Sequence, residues 1–451
     1  MRTRTLLAAM LLASSAAISL HAQAPAPAAE RRLDAAARRV IVDSAARLLA
    51  ANYAFADTGR MLAAHLRARL AAGAFDGAAT EPQLGDALTR EMQAFNHDGH
   101  LYTAYRPAPG TPAAMALASW KTGGPFRGGP RELTAEEVAA QRRMNYGFAK
   151  VEKLDGNVGY LEITQFMSGD EAKQAIDAAM AFLGHVDAMI VDLRRNGGGN
   201  QMAHYAASWF LADGTPQTWN YTRIVGDTMK NFSQPVGGAK RLDIPVYVLT
   251  SGRTASAAEA FAFSLQSAGR AKTVGTASAG AGYNSMVFPL TDDMGLSISI
   301  GAAFYPATGR RWEGTGVRPD IAVAAEQALA AAHSDALRTL AAREADPRRK
   351  QELAWTAETV EAALHPMALD AAALASYAGT YGNRVVSVDG GRLMYQRRAD
   401  RPADALTAIT ATEFAPAPAE RIDFVRDASG TVTALRVRTA GGDTTTLQRT
   451  N

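Results

Sequence analysis

Ala188-Met-Ile-Val-Asp192-Leu-Arg-Arg-Asn196-Gly-Gly-Gly199 and Ile244-Pro-Val-Tyr-Val-Leu-Thr250-Ser-Gly-Arg-Thr-Ala-Ser256-Ala-Ala-Glu259-Ala-Phe-Ala262 decide the fold. Each is a short apolar run that ends in small and turn-forming residues and then takes up helical periodicity. Val158 to Thr164 reads the same way and is followed by a helical pattern from Gly169 to Leu183. Helical patterns also follow the other two runs, over Gln201–Leu211 and Ser256–Ala268. Strands alternating with helices predict an α/β core with a largely parallel sheet, over residues 146–324. Upstream, Leu49 and Tyr53, then Leu62, Leu66 and Leu70, predict a helical domain over 30–106. The Gly- and Pro-rich stretch from Pro107 to Pro130 reads as a loop within a connection spanning 107–145. Downstream, Val287–Leu290 and Leu296–Ile300 read as a strand pair, and an Ala-rich helical linker covers 325–370. Alternating runs such as Thr431-Val-Thr-Ala-Leu-Arg-Val-Arg438 predict a small all-β domain over 371–451.

The chain has 451 residues, 47% of them hydrophobic, with 47 basic against 44 acidic residues. That apolar fraction supports packed cores, and the length suits roughly three domains. Arg2 and Arg4, the apolar run Leu6–Leu20 and Ala22-Gln-Ala24 have the layout of an export signal, expected over 1–24. The run is too short to span a bilayer, so a soluble periplasmic or secreted product is expected, without stable membrane insertion. Without those two arginines the formal charge falls from +3 to +1. A near-neutral chain offers no basic face for nucleic acid. The absence of cysteine excludes disulfides, thiol chemistry and cysteine-ligated metal.

Three segments carry chemistry. In the first, Gly197-Gly-Gly199 between a strand and a helix is either a tight turn or a place where backbone N–H groups approach a ligand. In the second, Ser256 and Glu259 are spaced as a capping box. The same geometry points a hydroxyl outward over free N–H groups able to hold an oxyanion. The third is Asn96-His-Asp-Gly-His100-Leu, with two of the eight histidines. No carboxylate-and-histidine set at metal spacing accompanies it, so neither a metal nor another cofactor is expected. What is left for it is a structural histidine or a base for Ser256, whose hydroxyl is a weak nucleophile without one.

Together these segments resemble the tail-specific, or C-terminal-processing, serine peptidases, in the branch of the tricorn core protease and the interphotoreceptor retinoid-binding protein repeats. Thr254–Ala262, Val274-Gly-Thr276 and Trp312-Glu-Gly-Thr-Gly-Val-Arg-Pro-Asp320 carry the resemblance alongside Asp192–Gly199, from about Tyr146 to Val323. It implies a ClpP/crotonase-like core with Ser256 as nucleophile. The implied oxyanion hole is the Ala257 N–H with one N–H of the Gly198/Gly199 turn. Best-known relatives use a Ser–Lys pair, but Ala281 stands where their lysine falls, and Lys272 lies earlier, in a strand. The tricorn-like pattern instead implies His100 as general base and Glu313 as its orienting carboxylate, with His97 as the fallback base. That branch has a serine just before its histidine, where this chain has Gly99.

Too few residues separate His100 from Val158 for the PDZ domain that many relatives carry. The resemblance thus implies an exported serine endopeptidase acting on peptides or unfolded proteins through an acyl-enzyme. Two alternatives are an apolar-ligand binder on the same scaffold and a non-peptide acyl or ester hydrolase.

Overall fold

The computed structural model describes residues 32–108, 112–121 and 134–450. The expected export signal over 1–24 lies outside them, as does part of the Gly/Pro-rich stretch. Among the described residues no helix is long and apolar enough to cross a membrane.

Three helices open the described chain: α1 (Ala35–Asn52), α2 (Ala56–Ala71) and α3 (Glu81–Asn96). Asp34 caps α1 by accepting from the Ala37 N–H at 2.7 Å. Strand β1 (Tyr102–Tyr105) follows, then α4 (Pro112–Lys121) and α5 (Ala135–Arg143). The stretch read as loop thus contains α4, whose Ala116 and Leu117 are buried. Proline at a first helical position is compatible with a helix, and the Ala-rich run after Pro112 supplies it.

The core strands are β2 (Phe148–Leu154), β3 (Val158–Ile163) and β4 (Ala188–Asp192), with α6 (Asp170–Phe182) between the last two. Next come α7 (Met202–Ser208), the hairpin β5 (Trp219–Thr222) and β6 (Asp227–Met229), then β7 (Val246–Thr250), α8 (Ala257–Ser267) and β8 (Lys272–Gly275). The long pair β9 (Tyr283–Pro289) and β10 (Met294–Phe304) precedes β11 (Ile321–Ala322). The main sheet has the order β11-β8-β7-β4-β3-β2. Five strands are parallel and β2 pairs antiparallel at the edge. β3, β4 and β7 are buried along their whole length, as a sheet covered on both faces requires.

One face packs on α6–α8 through residues such as Ile176, Phe210 and Phe261. The other packs on α9 (Ala328–Arg343) and α10 (Pro347–Leu364) through Tyr247, Leu249, Leu337 and Leu353. The Ala-rich segment read as a linker is therefore a structural layer of the core. A second sheet, β1-β10-β5-β6 with β9 on β10, carries the three N-terminal helices. Leu49, Leu66, Leu88, Leu296 and Ile298 share that core. After α11 (Ala371–Tyr377), antiparallel sheets of four and five strands close the chain over their own core.

Candidate active site

Parallel β4 and β7 end side by side, and the loops leaving their C-terminal ends build the site, the usual place for ligands in such sheets. Asn196 sews the two loops together. Its Oδ1 accepts from the Gly198 N–H at 2.8 Å, and its Nδ2 donates to Ile163 O at 3.1 Å. Its carbonyl accepts from the Ala255 N–H at 3.0 Å. Thr254 Oγ1 adds a bond to Leu193 O at 2.7 Å. Asp192 and Arg194 of the same motif are committed to each other, 2.6 Å apart, and Tyr160 donates to Asp192.

Ser256 stands at the head of α8 with φ 54° and ψ −117°. A non-glycine residue in this sparsely populated region stores strain, and a strained strand-to-helix turn is how a serine is lifted over a helix N-terminus. The neighbouring backbone has room only for glycine. A methyl group added at Gly198 would lie 2.9 Å from both Ala255 O and Ser256 Cβ, and 3.2 Å from Ala257 N. At Gly199, φ 136° and a carbon 1.9 Å from Phe166 O would exclude any side chain. The Gly198 N–H is spent on Asn196, whereas the Gly199 N–H makes no hydrogen bond among the described residues. Gly199, Ser256 and Ala257 line one small cavity together.

The Ser256–Glu259 spacing is used in one direction by a carboxylate that also holds the opposite wall. Glu259 is buried, and its Oε2 accepts from Ser256 N at 2.7 Å and Ala281 N at 2.8 Å. Its Oε1 accepts from Gly280 N at 2.7 Å and Ser278 Oγ at 2.6 Å. The loop in which the Ser–Lys pattern puts its lysine is thus tied down by Glu259, with only a methyl at Ala281. Lys272 pairs with Asp335 at 2.7 Å, on β8.

His100 and Glu313 come together. His100 Nδ1 lies 3.4 Å from Glu313 Oε1 and 3.4 Å from Asp98 Oδ1, shared between the two without closing a tight hydrogen bond to either. Glu313 is fixed by its other oxygen, which accepts from Gly282 N at 2.6 Å and Tyr283 N at 2.8 Å. Gly282 also lines the cavity of Ser256, so Glu313 joins the two halves of the site. Asp98 is buried and accepts from the His100 N–H at 2.9 Å, Ser299 Oγ at 2.6 Å and Tyr53 OH at 3.0 Å. Asn96 Nδ2 donates in turn to Tyr53 OH. His97 is exposed and forms the left-handed turn that ends α3 at φ 58°, a structural role.

Asp98 and then Glu313 push the His100 imidazole up from its ordinary 6.5 to about 10, against a smaller opposing effect of burial. Burial alone would raise Asp98, but hydrogen bonds from His100 and Ser299 outweigh it and hold the carboxyl low. Tyr53 is pushed up by burial and by Asp98. The ligand atoms of Asp98, His100 and Glu313 fall within 4.8 Å of one another, close enough together to hold a metal ion. Sequence reasoning missed Asp98, Ser299 and Tyr53. An Asp two residues before a His was a usable signal. Ser299 gave none, being one inward position of a long strand.

Residues 157–323 match peptidase family S41, and residues 34–120 match the N-terminal domain of peptidase S41 in eukaryotic IRBP. A carboxy-terminal-processing protease of Bartonella bacilliformis is 30% identical over 176 residues, 38% of this chain and 40% of that protein. Carboxyl-terminal-processing peptidase 1, chloroplastic, of Arabidopsis thaliana is 31% identical over 190 residues, 41% of this chain and 37% of that protein. The chain therefore spans well under half the length of these curated relatives. Among solved structures, the photosystem II D1 C-terminal processing protease aligns at TM-score 0.40 and 17% identity, over 64% of this chain and 94% of that one. The tricorn protease aligns at TM-score 0.40 and 15% identity, over 65% and 35%. With the first match spanning the loops that carry Ser256 and Glu313, and the second spanning α1–α3 and the turn that carries His100, this chain belongs to peptidase family S41.

Proposed function

We propose that the chain is a serine endopeptidase that hydrolyses peptides or unfolded proteins, with Ser256 as nucleophile, His100 as base and Glu313 as the orienting carboxylate. The observation that carries this reading is the strained Ser256 turn, set against a glycine turn that admits no side chain beside the Ala257 N–H. Ser256 Oγ attacks the scissile carbonyl as His100 takes its proton, and the N–H groups of Ala257 and Gly199 receive the oxyanion. His100 then protonates the leaving amine, and water, activated by the same imidazole, releases the acid from the acyl-enzyme. Asp98 is a positioning residue, since it accepts from the His100 backbone N–H and sets a negative charge 3.4 Å from the ring Nδ1. The paired carboxylates favour the imidazolium formed in the transition state, at the expense of the neutral base.

The test is incubation of wild type, Ser256→Ala and His100→Ala with unfolded casein and a mixed peptide library, with products read by mass spectrometry. Cleavage by wild type alone supports the assignment. Equal cleavage by Ser256→Ala would refute it. The Arg2–Ala24 layout supports export of this enzyme, which the N-terminal sequence of the mature protein would check: an intact Met1 contradicts it.

A further inference from the structure

The cavity that holds Ser256 has a wall that the mechanism above does not use. Its volume is about 120 Å³, room for one side chain, where pockets for drug-sized ligands run to several hundred. Ala260, Ala281 and Ala303 keep it narrow, and its polar lining consists of neutral groups: His204, Asn200, Gln201, Asn220 and Asn284 beside Ser256.

His204 lies on α7, buried, one turn beyond the triple glycine. Its Nδ1 is 2.8 Å from Gln217 Oε1. The orientation of Gln217 is set by its other end, where Nε2 donates to His204 O at 3.0 Å and to Ser208 Oγ at 3.1 Å. An acceptor therefore faces Nδ1, so Nδ1 carries the hydrogen and Nε2 the lone pair. Burial pushes His204 below the ordinary histidine range, keeping the ring neutral. With Nδ1 turned to the buried amide, Nε2 is the ring's other polar edge, and it makes no hydrogen bond among the described residues. Across the cavity, Asn284 Nδ2 donates to Asn220 Oδ1 at 3.3 Å, which leaves the Asn220 amide N–H groups for a ligand.

We infer that this cavity receives the side chain of the residue contributing the scissile carbonyl, and that His204 Nε2 selects a short side chain carrying a hydrogen-bond donor: Ser, Thr or Asn. The inference rests on the peptidase reading of Ser256. A neutral, narrow wall gives a charged side chain no partner and an aromatic one no room. A buried lone pair left without a donor penalises apolar side chains of the same shape.

Binding of product peptides tests this without turnover. The full-length Ser256→Ala protein is titrated calorimetrically with acetyl-Ala-Ala-Thr and acetyl-Ala-Ala-Val, nearly equal in shape, and with the Asn and Leu pair. Thr should bind about tenfold more tightly than Val, the worth of one neutral hydrogen bond. His204→Leu should bring the pair to parity, and His204→Gln, which keeps an acceptor, should restore part of the difference. Val binding as tightly as Thr overturns the inference, with no variant needed. So does a Thr preference that survives His204→Leu, or no binding by any peptide. The peptidase reading is judged separately, on casein: cleavage after Leu or Phe by wild type would leave that reading standing and remove this one.

Discussion

Glu313→Gln separates the two effects of the carboxylate beside His100. The substitution keeps the shape, and its amide oxygen can still accept from Gly282 and Tyr283 N–H, so the loop should hold. What it removes is one of two negative charges, each 3.4 Å from Nδ1. Those charges take His100 from 6.5 to about 10, with Asp98 contributing more than Glu313. Losing the smaller contributor should move the apparent pKa of the base down by roughly one to two units, the usual effect of a single close opposite charge. With the base pushed up to about 10, kcat/KM in wild type should climb close to tenfold per pH unit from neutral pH towards an alkaline plateau. In the variant the climb should flatten earlier, and the plateau should fall by roughly 10- to 100-fold, because the transition-state imidazolium loses a charged partner. The assay is kcat/KM for a quenched fluorescent peptide from pH 6 to 11, with the His100 pKa followed by NMR. A wild-type profile already flat above pH 7, or an identical inflection in the variant, would refute the reasoning.

Gly198→Ala puts a methyl 2.9 Å from Ser256 Cβ and 3.2 Å from Ala257 N, and kcat should fall on the order of 10²–10³-fold with the N–H pair blocked, as steady-state kinetics would show. Glu259→Ala strips four buried bonds from Ser256 N, Ser278 Oγ, Gly280 N and Ala281 N; it should cost about 3–5 kcal/mol in urea denaturation as well as activity. The raised His100 pKa also contributes stability that is complete below about pH 6.5 and is lost as pH rises through about 10. Thermal melts should therefore fall over that window in wild type and fall less in Glu313→Gln. Chelation by EDTA should leave peptide cleavage unchanged; a loss restored by added zinc would turn Asp98, His100 and Glu313 into a metal site.

The parallel core was legible because β3, β4 and β7 are buried on both faces, which leaves continuous apolar runs in the sequence. Ser256 and the glycine turn were legible because strand ends announce themselves through small residues. Edge strand β2 and the hairpin β5–β6 were not, since half-exposed strands among polar neighbours lack either period. Nor was α4, whose stabilisation comes from packing on β9 around Val287, a long-range contact. The pairing of His100 with Glu313 rested on a resemblance alone; no spacing rule joins residues so far apart in sequence. Asp98 escaped for the opposite reason. It was adjacent to the motif but looked like turn chemistry, and only the chain's return through Ser299 reveals it as an anchor.

That return explains how a base can come from outside the α/β core. In the Ser–Lys pattern the base belongs to the loop after β8, but here that loop is spent on Glu259. The proposed base instead arrives on the turn between α3 and β1. Strand β10 makes this placement reproducible: it pairs with β1 directly after His100, and its Ser299 holds Asp98. The chain then leaves β10 towards Glu313, which reaches back to His100. Arg223, after β5, adds bonds from the same sheet to Tyr53 O at 2.7 Å and Ala50 O at 3.1 Å on the helical side. The N-terminal helices thus supply one half of the proposed catalytic pair, and the hydrophobic contact between those helices and β10 fixes its geometry. A loosened contact would therefore lower kcat.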